Sequence, residues 1–295
     1  MSNVESMDEF FARVGTLLDR VELLVPAPIK NIDWTALAYR WRKTRVHGYL
    51  QPVTTPHRIE PNDLQRIDRQ RREIDRNTRQ FVLGLPANNV LLTGSRGTGK
   101  SSLVKAMLSA YAESGLRLIE VDKSDLIDLA DIVEHVEGRD ERYIIFCDDL
   151  SFEGDESSYK ALKAILDGSI SAPPENVLIY ATSNRRHLMP EYMQENGVTR
   201  SVNGEIHHAE AVEEKISLSE RFGLWLSFYP FDQSAYLEIV YHWIAQLGMQ
   251  SWNEDDVRAD ALKWALTRGS RSGRSAHQFA RDWVGRQGLT SVPVE

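Results

Sequence analysis

The chain has 295 residues, of which 42% are hydrophobic and 26% charged, and its formal net charge is -8. This composition is typical of a globular protein with one large domain or two smaller ones. The acidic balance argues against general binding of nucleic acid, which depends on Lys and Arg neutralising phosphates. No signal peptide or membrane-spanning apolar run is evident, so we expect a cytoplasmic protein with no membrane partner.

Residues 1–55 predict an N-terminal extension with helical and aromatic parts. Residues 7–24 place apolar side chains at helical spacing, and prolines follow. The next stretch, "NIDWTALAYRWRKTRVHGYLQPV", is rich in aromatic and basic residues. We expect Trp34, Tyr39 and Trp41 to pack this extension onto the main body, with stacking on nucleobases as the alternative.

Residues 56–230 predict an α/β domain. A charged helix over about 62–83 comes first, and its interleaved acidic and basic residues favour a salt-bridged surface. Strands then alternate with helices, and the strand segments are "NVLLTG", "LRLIEVD", "YIIFCDD", "NVLIYATSN" and "LWLSFY". Such alternation indicates a parallel sheet with crossover helices. The polar segment 189–217 predicts a long loop.

Residues 231–295 predict a small helical domain. The β signals end after Phe231, and three amphipathic segments follow, each closed by glycine. The single cysteine, Cys147, lies within an apolar run, where a buried structural role is favoured over a reactive thiol. One cysteine excludes an intrachain disulfide and fits a reducing compartment.

Residues 94–101, "GSRGTGKS", match the complete phosphate-binding pattern G-x-x-x-x-G-K-[ST] between a strand and a helix. Glycines allow backbone conformations that side chains forbid, so the backbone N–H groups and the helix N-terminus can converge on phosphates. We expect Lys100 to reach the β- and γ-phosphates and Ser101 to ligate Mg²⁺. The predicted nucleotide contacts in this loop are Gly94, Ser95, Arg96, Gly97, Thr98, Gly99, Lys100, Ser101 and Ser102.

Two aspartates, Asp148 and Asp149, follow the apolar run "YIIFC". A carboxylate at the C-terminal end of a strand in an open α/β sheet faces the crevice where ligands bind. We therefore expect Asp148 to hold Mg²⁺, usually through water. This placement explains a charge at the end of a buried strand, which is otherwise costly.

With "YATSN", "LSERF" and "GSRSGRSAHQF", these features resemble the AAA+ ATPases. The sequence is most similar to an uncharacterised bacterial AAA+ family, a domain of unknown function. Among characterised relatives it is similar to replication initiators, helicase loaders and clamp loaders. The resemblance spans about residues 59–288. It implies a P-loop αβα sandwich with a parallel sheet, a small helical lid, and ATP with Mg²⁺ as cofactors.

The resemblance also implies roles for single residues. Asn184 matches the sensor 1 residue that orients the attacking water, with a helix cap as the alternative. Arg221 matches the arginine finger that enters a neighbouring subunit's site, with a surface salt bridge as the alternative. Arg274 matches the sensor 2 arginine, and nearby Arg271 competes for this assignment. We prefer Arg274 because it begins the apolar-periodic helix.

Asp149 departs from the family pattern, since many AAA+ motors carry glutamate there as the base that activates water. Aspartate is one methylene shorter, and a small misplacement of a general base is costly. Glu153 lies just beyond but is a weak substitute. Whether Asp149 supports fast hydrolysis is left open at this stage.

We therefore predict an ATPase that hydrolyses ATP to ADP and phosphate and remodels or loads an unidentified partner protein. It would act as a homo-oligomer with Arg221 provided in trans. A nucleotide-dependent binding switch with slow hydrolysis and a DNA-associated loader are the alternatives. A small-molecule kinase leaves "LSERF" and the helical tail without a role. A metal site at His207, His208 and Glu210 is disfavoured, because adjacent histidines on a polar loop are usually solvated.

Overall fold

The structure, a computed structural model, describes residues 13–16, 32–44, 47–150, 156–167, 174–184 and 218–290. Residues 13–16 are helical; the rest of the helix predicted over 7–24 lies outside the described residues. The loop predicted over 189–217 lies outside them as well.

A seven-stranded sheet forms the centre of the molecule. Its strands are β1 Ala38–Lys43, β2 Gly48–Pro52, β3 Val90–Gly94, β4 Leu116–Val121, β5 Arg142–Cys147, β6 Val177–Ser183 and β7 Leu224–Phe228. Their order is β2-β1-β4-β5-β6-β3-β7, and among these described strands only the β1–β2 pair is antiparallel. Strands β3 and β6 are buried along their whole length, which is why they are near-continuous apolar runs in the sequence.

Helices cover both faces of the sheet and form a lid. They are α1 Asp68–Val82, α2 Lys100–Tyr111, α3 Leu129–Val136, α4 Glu156–Asp167, α5 Gln233–Gln246, α6 Glu254–Arg268 and α7 Gly273–Thr290. Helices α3 and α4 share one apolar cluster with the sheet, and α1 and α2 share the other. Helices α5, α6 and α7 surround a cluster of their own. The predicted αβα sandwich with a helical lid is confirmed.

The hairpin β1–β2 belongs to the sheet, which the sequence pattern does not predict. The sequence assigns residues 38–52 to an extension, but β1 pairs in parallel with β4 and carries β2 on its outer side. Tyr39 and Trp41 are fully buried, and Trp41 Nε1 donates a 2.9 Å hydrogen bond to Asp128. Packing rather than nucleobase stacking is therefore confirmed for these two side chains.

Helix α1 is shorter than the predicted 62–83 stretch. A 3-10 turn, Pro61–Asp63, comes first, and Arg66 adopts φ 63°, which interrupts the helical path before Asp68. The expected salt-bridged surface is present, since arginines of α1 pair with acidic residues three positions earlier. The irregular segment 61–67 reaches the cleft between core and lid, so the interruption places it beside the site described below.

Candidate nucleotide-binding site

The phosphate-binding loop connects β3 to α2 at the C-terminal edge of the sheet. Gly94, Gly97 and Gly99 have φ values of 127°, 74° and 99°, which side-chain-bearing residues rarely adopt. A Cβ on Gly94 would also collide with the Phe228 carbonyl oxygen. The first N–H groups of α2 have no intrahelical acceptor and point out of the helix N-terminus. This backbone can therefore surround an anion.

A cavity of about 640 Å³ lies between the core and the lid. Its lining includes the phosphate loop, Asp148, Asp149, Asn184 and Arg274, which are polar or charged. It also includes apolar and aromatic side chains and two histidines, which are Ile59, Leu64, Ile67, Phe231, Trp243, His57 and His277. A cavity whose lining combines polar groups with apolar side chains can hold a molecule that has both phosphates and a flat base.

Lys100 is a buried cation of this site, with only 5% of its surface exposed. Its Nζ donates to Gly94 O at 2.7 Å, Ser95 O at 2.8 Å and Asn184 Oδ1 at 3.1 Å. Burial lowers the pKa of Lys100 to about 8, although Asp148 and Asp149 act in the opposite direction. All three hydrogen-bond partners are neutral oxygens, so a bound phosphate would supply a direct counter-charge that further favours the ammonium form.

Asp148 and Ser101 form the oxygen pair expected for a magnesium ligand set. Ser101 Oγ donates to Asp148 Oδ1 at 2.6 Å, and Thr182 Oγ1 donates to the same oxygen at 2.5 Å. Hydroxyl and carboxylate oxygens are ligands that Mg²⁺ prefers. Thr182 orients the carboxylate from β6. Sequence reasoning missed it, although it stands two residues before Asn184 in "YATSN".

Three contacts restrict the conformation of Asp149. Its backbone adopts φ 55°, and its N–H donates to Thr182 Oγ1 at 2.9 Å. Its carboxylate accepts a 2.5 Å hydrogen bond from Asn184 Nδ2 and lies 3.7 Å from Arg96 Nη2. Asn184 thus connects Asp149 to Lys100 through its two amide atoms. The structure brings the predicted base and the predicted sensor 1 residue into direct contact.

The lid contacts the phosphate loop through backbone atoms. The Gly273 N–H donates to Gly97 O at 2.8 Å, and a Cβ on Gly97 would come within 2.8 Å of Ser272 Cβ. Arg274, the second residue of α7, lines the cavity. Arg271 is exposed and is not among the described residues that line it. This geometry favours Arg274 over Arg271 as the lid arginine that faces a bound nucleotide.

His277 lies one turn after Arg274 and also lines the cavity. Burial lowers its pKa, and the positive charge of Arg281 and the nearby His57 act in the same direction. Its ring is 4.5 Å from that of Trp243, in an edge arrangement. These rings give the cavity an uncharged aromatic wall. Sequence reasoning did not identify this wall, because its residues come from separate elements.

Arg221 lies apart from this cavity. It precedes β7, whereas the phosphate loop follows β3, and these two neighbouring strands run in parallel. Arg221 is not among the described residues that line the cavity. Its Nε donates to Asp167 Oδ1, so the salt bridge that the sequence offered as an alternative is present.

The remaining sequence-based candidates lie apart from the site or outside the described residues. Cys147 is buried, and burial raises the pKa of its thiol to about 12, as expected for a structural cysteine. His207, His208, Glu210 and Glu153 lie outside the described residues. Within the described ranges, no group of three or more His, Cys, Asp or Glu side chains could hold a metal ion. No described helix is long and apolar enough to cross a membrane.

Residues 34–287 match a family described as "Protein of unknown function (DUF815)". The chain belongs to this family. The predicted membership in an uncharacterised family, catalogued as a domain of unknown function, is therefore confirmed. The match begins at residue 34, so it includes both strands of the β1–β2 hairpin of this DUF815 member. No curated protein matches the chain by sequence.

Solved structures share the fold of this DUF815 member at low identity. A point mutant of Thermotoga maritima RuvB aligns with a TM-score of 0.53 and 14% identity, over 79% of this chain and 67% of that chain. The T. maritima RuvB Holliday junction branch migration motor aligns at 0.50 and 15%, over 75% and 63%. Aeropyrum pernix ORC1 in complex with DNA aligns at 0.51 and 17%, over 72% and 58%. The chain thus spans less than two thirds of most of these proteins, and the likeness concerns the fold.

Proposed function

We propose that this DUF815 member is an AAA+ ATPase that binds ATP with Mg²⁺ and hydrolyses ATP to ADP and phosphate. The observation that carries this proposal is the cavity between core and lid. It collects the phosphate loop, Asp148, Asp149, Asn184 and Arg274, which come from four separate parts of the sequence. A structural glycine turn would not need acidic, amide and arginine side chains to converge on it.

In this proposal the phosphate loop binds the triphosphate, and Lys100 and Arg274 balance its charge. Ser101 and Asp148 would hold Mg²⁺, whose chemistry is to neutralise charge on the phosphate oxygens. The apolar and aromatic side chains of the lining would exclude water around the base. The ammonium group of Lys100 would bind a phosphate through charge-assisted hydrogen bonds, because its hydrogen-bond partners within the protein are uncharged oxygens.

Hydrolysis requires that a water lose a proton as its oxygen attacks the terminal phosphorus and the bond to ADP breaks. Asp149 is the proposed acceptor of that proton, and Asn184 the proposed group that orients the water. Their direct contact supports this pairing, since both residues line the cavity. For attack to occur, Asn184 must exchange its bond to Asp149 for one to the water.

Arg221 is proposed to act in the site of a neighbouring copy of the chain. Leu224 of β7 pairs with Val90, and Phe228 pairs with Gly94, so β7 separates Arg221 from its own phosphate loop. Five strand residues span about 13 Å, and Arg221 begins three residues further back. Arg221 is therefore too distant to contact a phosphate in its own subunit. The proposal therefore includes a homo-oligomer with shared sites, whose nucleotide state would drive the remodelling or loading of a partner protein.

The shared-site proposal is tested by steady-state ATPase activity against protein concentration. We expect specific activity to fall on dilution, and Arg221→Ala to lower turnover about 1000-fold while ATP binding is retained. Lys100→Met is the control that abolishes binding itself. Specific activity that stays constant on dilution and is unchanged in Arg221→Ala would contradict the proposal.

A nucleotide-dependent binding switch is the second candidate, and the state of Asp149 favours it. This carboxylate is short, and it is already bonded to Asn184 and close to Arg96. In a switch, ATP occupancy presents a surface to the partner and hydrolysis is incidental. Turnover of Asp149→Asn decides between the two. Loss of turnover with intact ATP binding supports the ATPase, and unchanged slow turnover supports the switch.

A DNA-associated loader is the third candidate. Two of the structural neighbours are a Holliday junction branch migration motor and a protein in complex with DNA. In this chain the basic residues of β1 are engaged by acidic ones, since Arg40 pairs with Glu120, and Lys43 with Asp128. Binding to single- or double-stranded DNA at low salt would support a loader, and absence of binding there would remove it.

A further inference from the structure

Asp167, the last residue of α4, forms a direct ion pair with Arg221. The Nε–H of Arg221 donates a hydrogen bond to Asp167 Oδ1. The Arg221 side chain is 23% exposed and the Asp167 side chain 39%, so water screens this pair only in part. Charge-assisted hydrogen bonds of this kind fix direction as well as distance.

Both partners are anchored in the same apolar cluster. Arg221 lies between Leu218 and Phe222, which are buried against the sheet. Asp167 directly follows Leu166, a partly buried member of that cluster. The Arg221 N–H also donates to Leu218 O at 3.2 Å, which holds the turn before β7. With both backbones fixed, the ion pair sets the direction in which the guanidinium leaves the core.

We infer that Asp167 is a positioning residue that orients Arg221 toward the ATP site of a neighbouring copy of this chain. The inference rests on the proposed function. The guanidinium is planar, so a bond at Nε fixes the plane in which the terminal nitrogens lie. Loss of this bond would widen the range of rotamers open to the side chain, and the arginine would have to be ordered again when it meets a phosphate.

The first test compares kcat and KM at protein concentrations where the wild-type chain is assembled. Asp167→Asn keeps the size of the side chain and removes its charge. A displacement of about 1 Å can cost up to about 100-fold in rate, so we expect kcat to fall about tenfold. KM for ATP should change by less than about twofold, because Arg221 contributes to the transition state rather than to binding. Asp167→Glu should recover part of the rate.

Glu220→Gln is the matched control. It removes a carboxylate next to Arg221 in the sequence, and Glu220 is exposed. We expect wild-type kcat and KM for this variant. A loss equal to that of Asp167→Asn would show that net charge near the interface matters, rather than the specific contact, and would overturn the inference.

A mixing experiment reports on the arginine alone. Arg221→Ala subunits keep an intact site, and Lys100→Met subunits keep an intact Arg221, so a mixture should recover activity. We expect the double variant Lys100→Met/Asp167→Asn to rescue about tenfold less well, by the same displacement argument. Its own site is already inactive, so this loss can come only from the arginine that it provides.

The outcomes separate the inference from the proposed function. If Arg221→Ala leaves turnover unchanged, the shared site and the positioning role both fail. If Arg221→Ala impairs turnover while Asp167→Asn keeps or exceeds the wild-type kcat, only the positioning role fails. Equal rescue of Arg221→Ala by Lys100→Met and by Lys100→Met/Asp167→Asn would also overturn the positioning role of Asp167.

Discussion

At position 149 the backbone conformation bears directly on the choice of side chain. Asp149 has φ 55°, in the left-handed region that aspartate, asparagine and glycine occupy more readily than other residues. This conformation follows from two hydrogen bonds, one from the Asp149 N–H to Thr182 Oγ1 and one from the Leu150 N–H to Thr182 O. The departure from the glutamate common in AAA+ motors therefore has a structural reason in this chain.

This conformation predicts opposite behaviour for two substitutions at residue 149. Asp149→Glu should lower the free energy of unfolding by about 1 kcal/mol, because a left-handed backbone is less favourable for a longer side chain. Asp149→Asn should change it by less than about 0.5 kcal/mol, because asparagine tolerates that backbone and still offers an acceptor to Asn184. Urea unfolding without nucleotide measures both.

Asp140→Glu is the control for this pair of variants. Asp140 is exposed and is not among the described residues with positive φ, so lengthening it should leave stability unchanged. An Asp149→Glu protein as stable as wild type would show that position 149 carries no conformational constraint. The same variants, assayed for turnover, report on the general base.

The β1–β2 hairpin is rich in basic residues, yet it forms part of the central sheet. Its arginine side chains alternate with buried aromatics, which is the period-two pattern of a half-buried strand. Arg40, Arg42 and Lys43 pair with acidic residues of β4 and of the segment after it. The hairpin thereby covers the edge of β4 and neutralises a local acidic surface.

Trp41 should be the residue on which this hairpin depends most. It is 1% exposed, donates to Asp128, and packs against Gly48, where any side chain would collide with its ring. Trp41→Ala should lower the free energy of unfolding by about 3–5 kcal/mol, measured by urea denaturation. Tyr229→Ala, at a side chain that is 68% exposed, should cost far less. Similar losses in both variants would contradict this account of the hairpin.

For the molecule as a whole, the contact between core and lid decides whether the site is complete. The phosphate loop and α7 touch through backbone atoms of Gly97 and Gly273. Arg66, in the segment before α1, forms an ion pair with Glu238 on α5. Gly97 and Gly273 line the cavity, and so do the residues on either side of Arg66, so an altered core–lid angle would change the cavity itself.

Gly97→Ala tests this coupling. The new Cβ would lie 2.8 Å from Ser272 Cβ, so the lid must shift. We expect ATP affinity to fall about tenfold, equal to about 1.4 kcal/mol, as measured by titration calorimetry. Gly115→Ala is the matched control, because Gly115 also has positive φ but has nothing within 4 Å of a new Cβ.

The control should lose stability through backbone strain and keep its affinity for ATP. A Gly97→Ala protein that binds ATP as tightly as Gly115→Ala would show that the lid contact is irrelevant to binding. This comparison separates backbone strain from steric contact. Both variants place alanine at a positive φ, but only Gly97→Ala creates a close contact with the lid.

Much of the fold could be predicted because its signals are local. The phosphate loop lies within eight consecutive residues, and the buried parallel strands are continuous apolar runs. The sequence indicates Asn184 and Arg274 through motifs at the end of a strand and at the start of a helix. Thr182, His277 and Trp243 were missed, since each reaches the site only through the packing of elements distant in sequence. The β1 strand was missed because its alternating pattern also fits an aromatic surface segment.

Spacing along the chain predicts the fold class, the phosphate loop and the aspartate that follows β5, because backbone geometry dictates them. The tertiary structure alone shows that the hairpin joins the sheet and that Asp149 is bonded to Asn184. It also placed Arg221 beside Asp167 and apart from the cavity. These facts depend on which elements become neighbours in space, and burial of apolar surface over the whole molecule sets those neighbours.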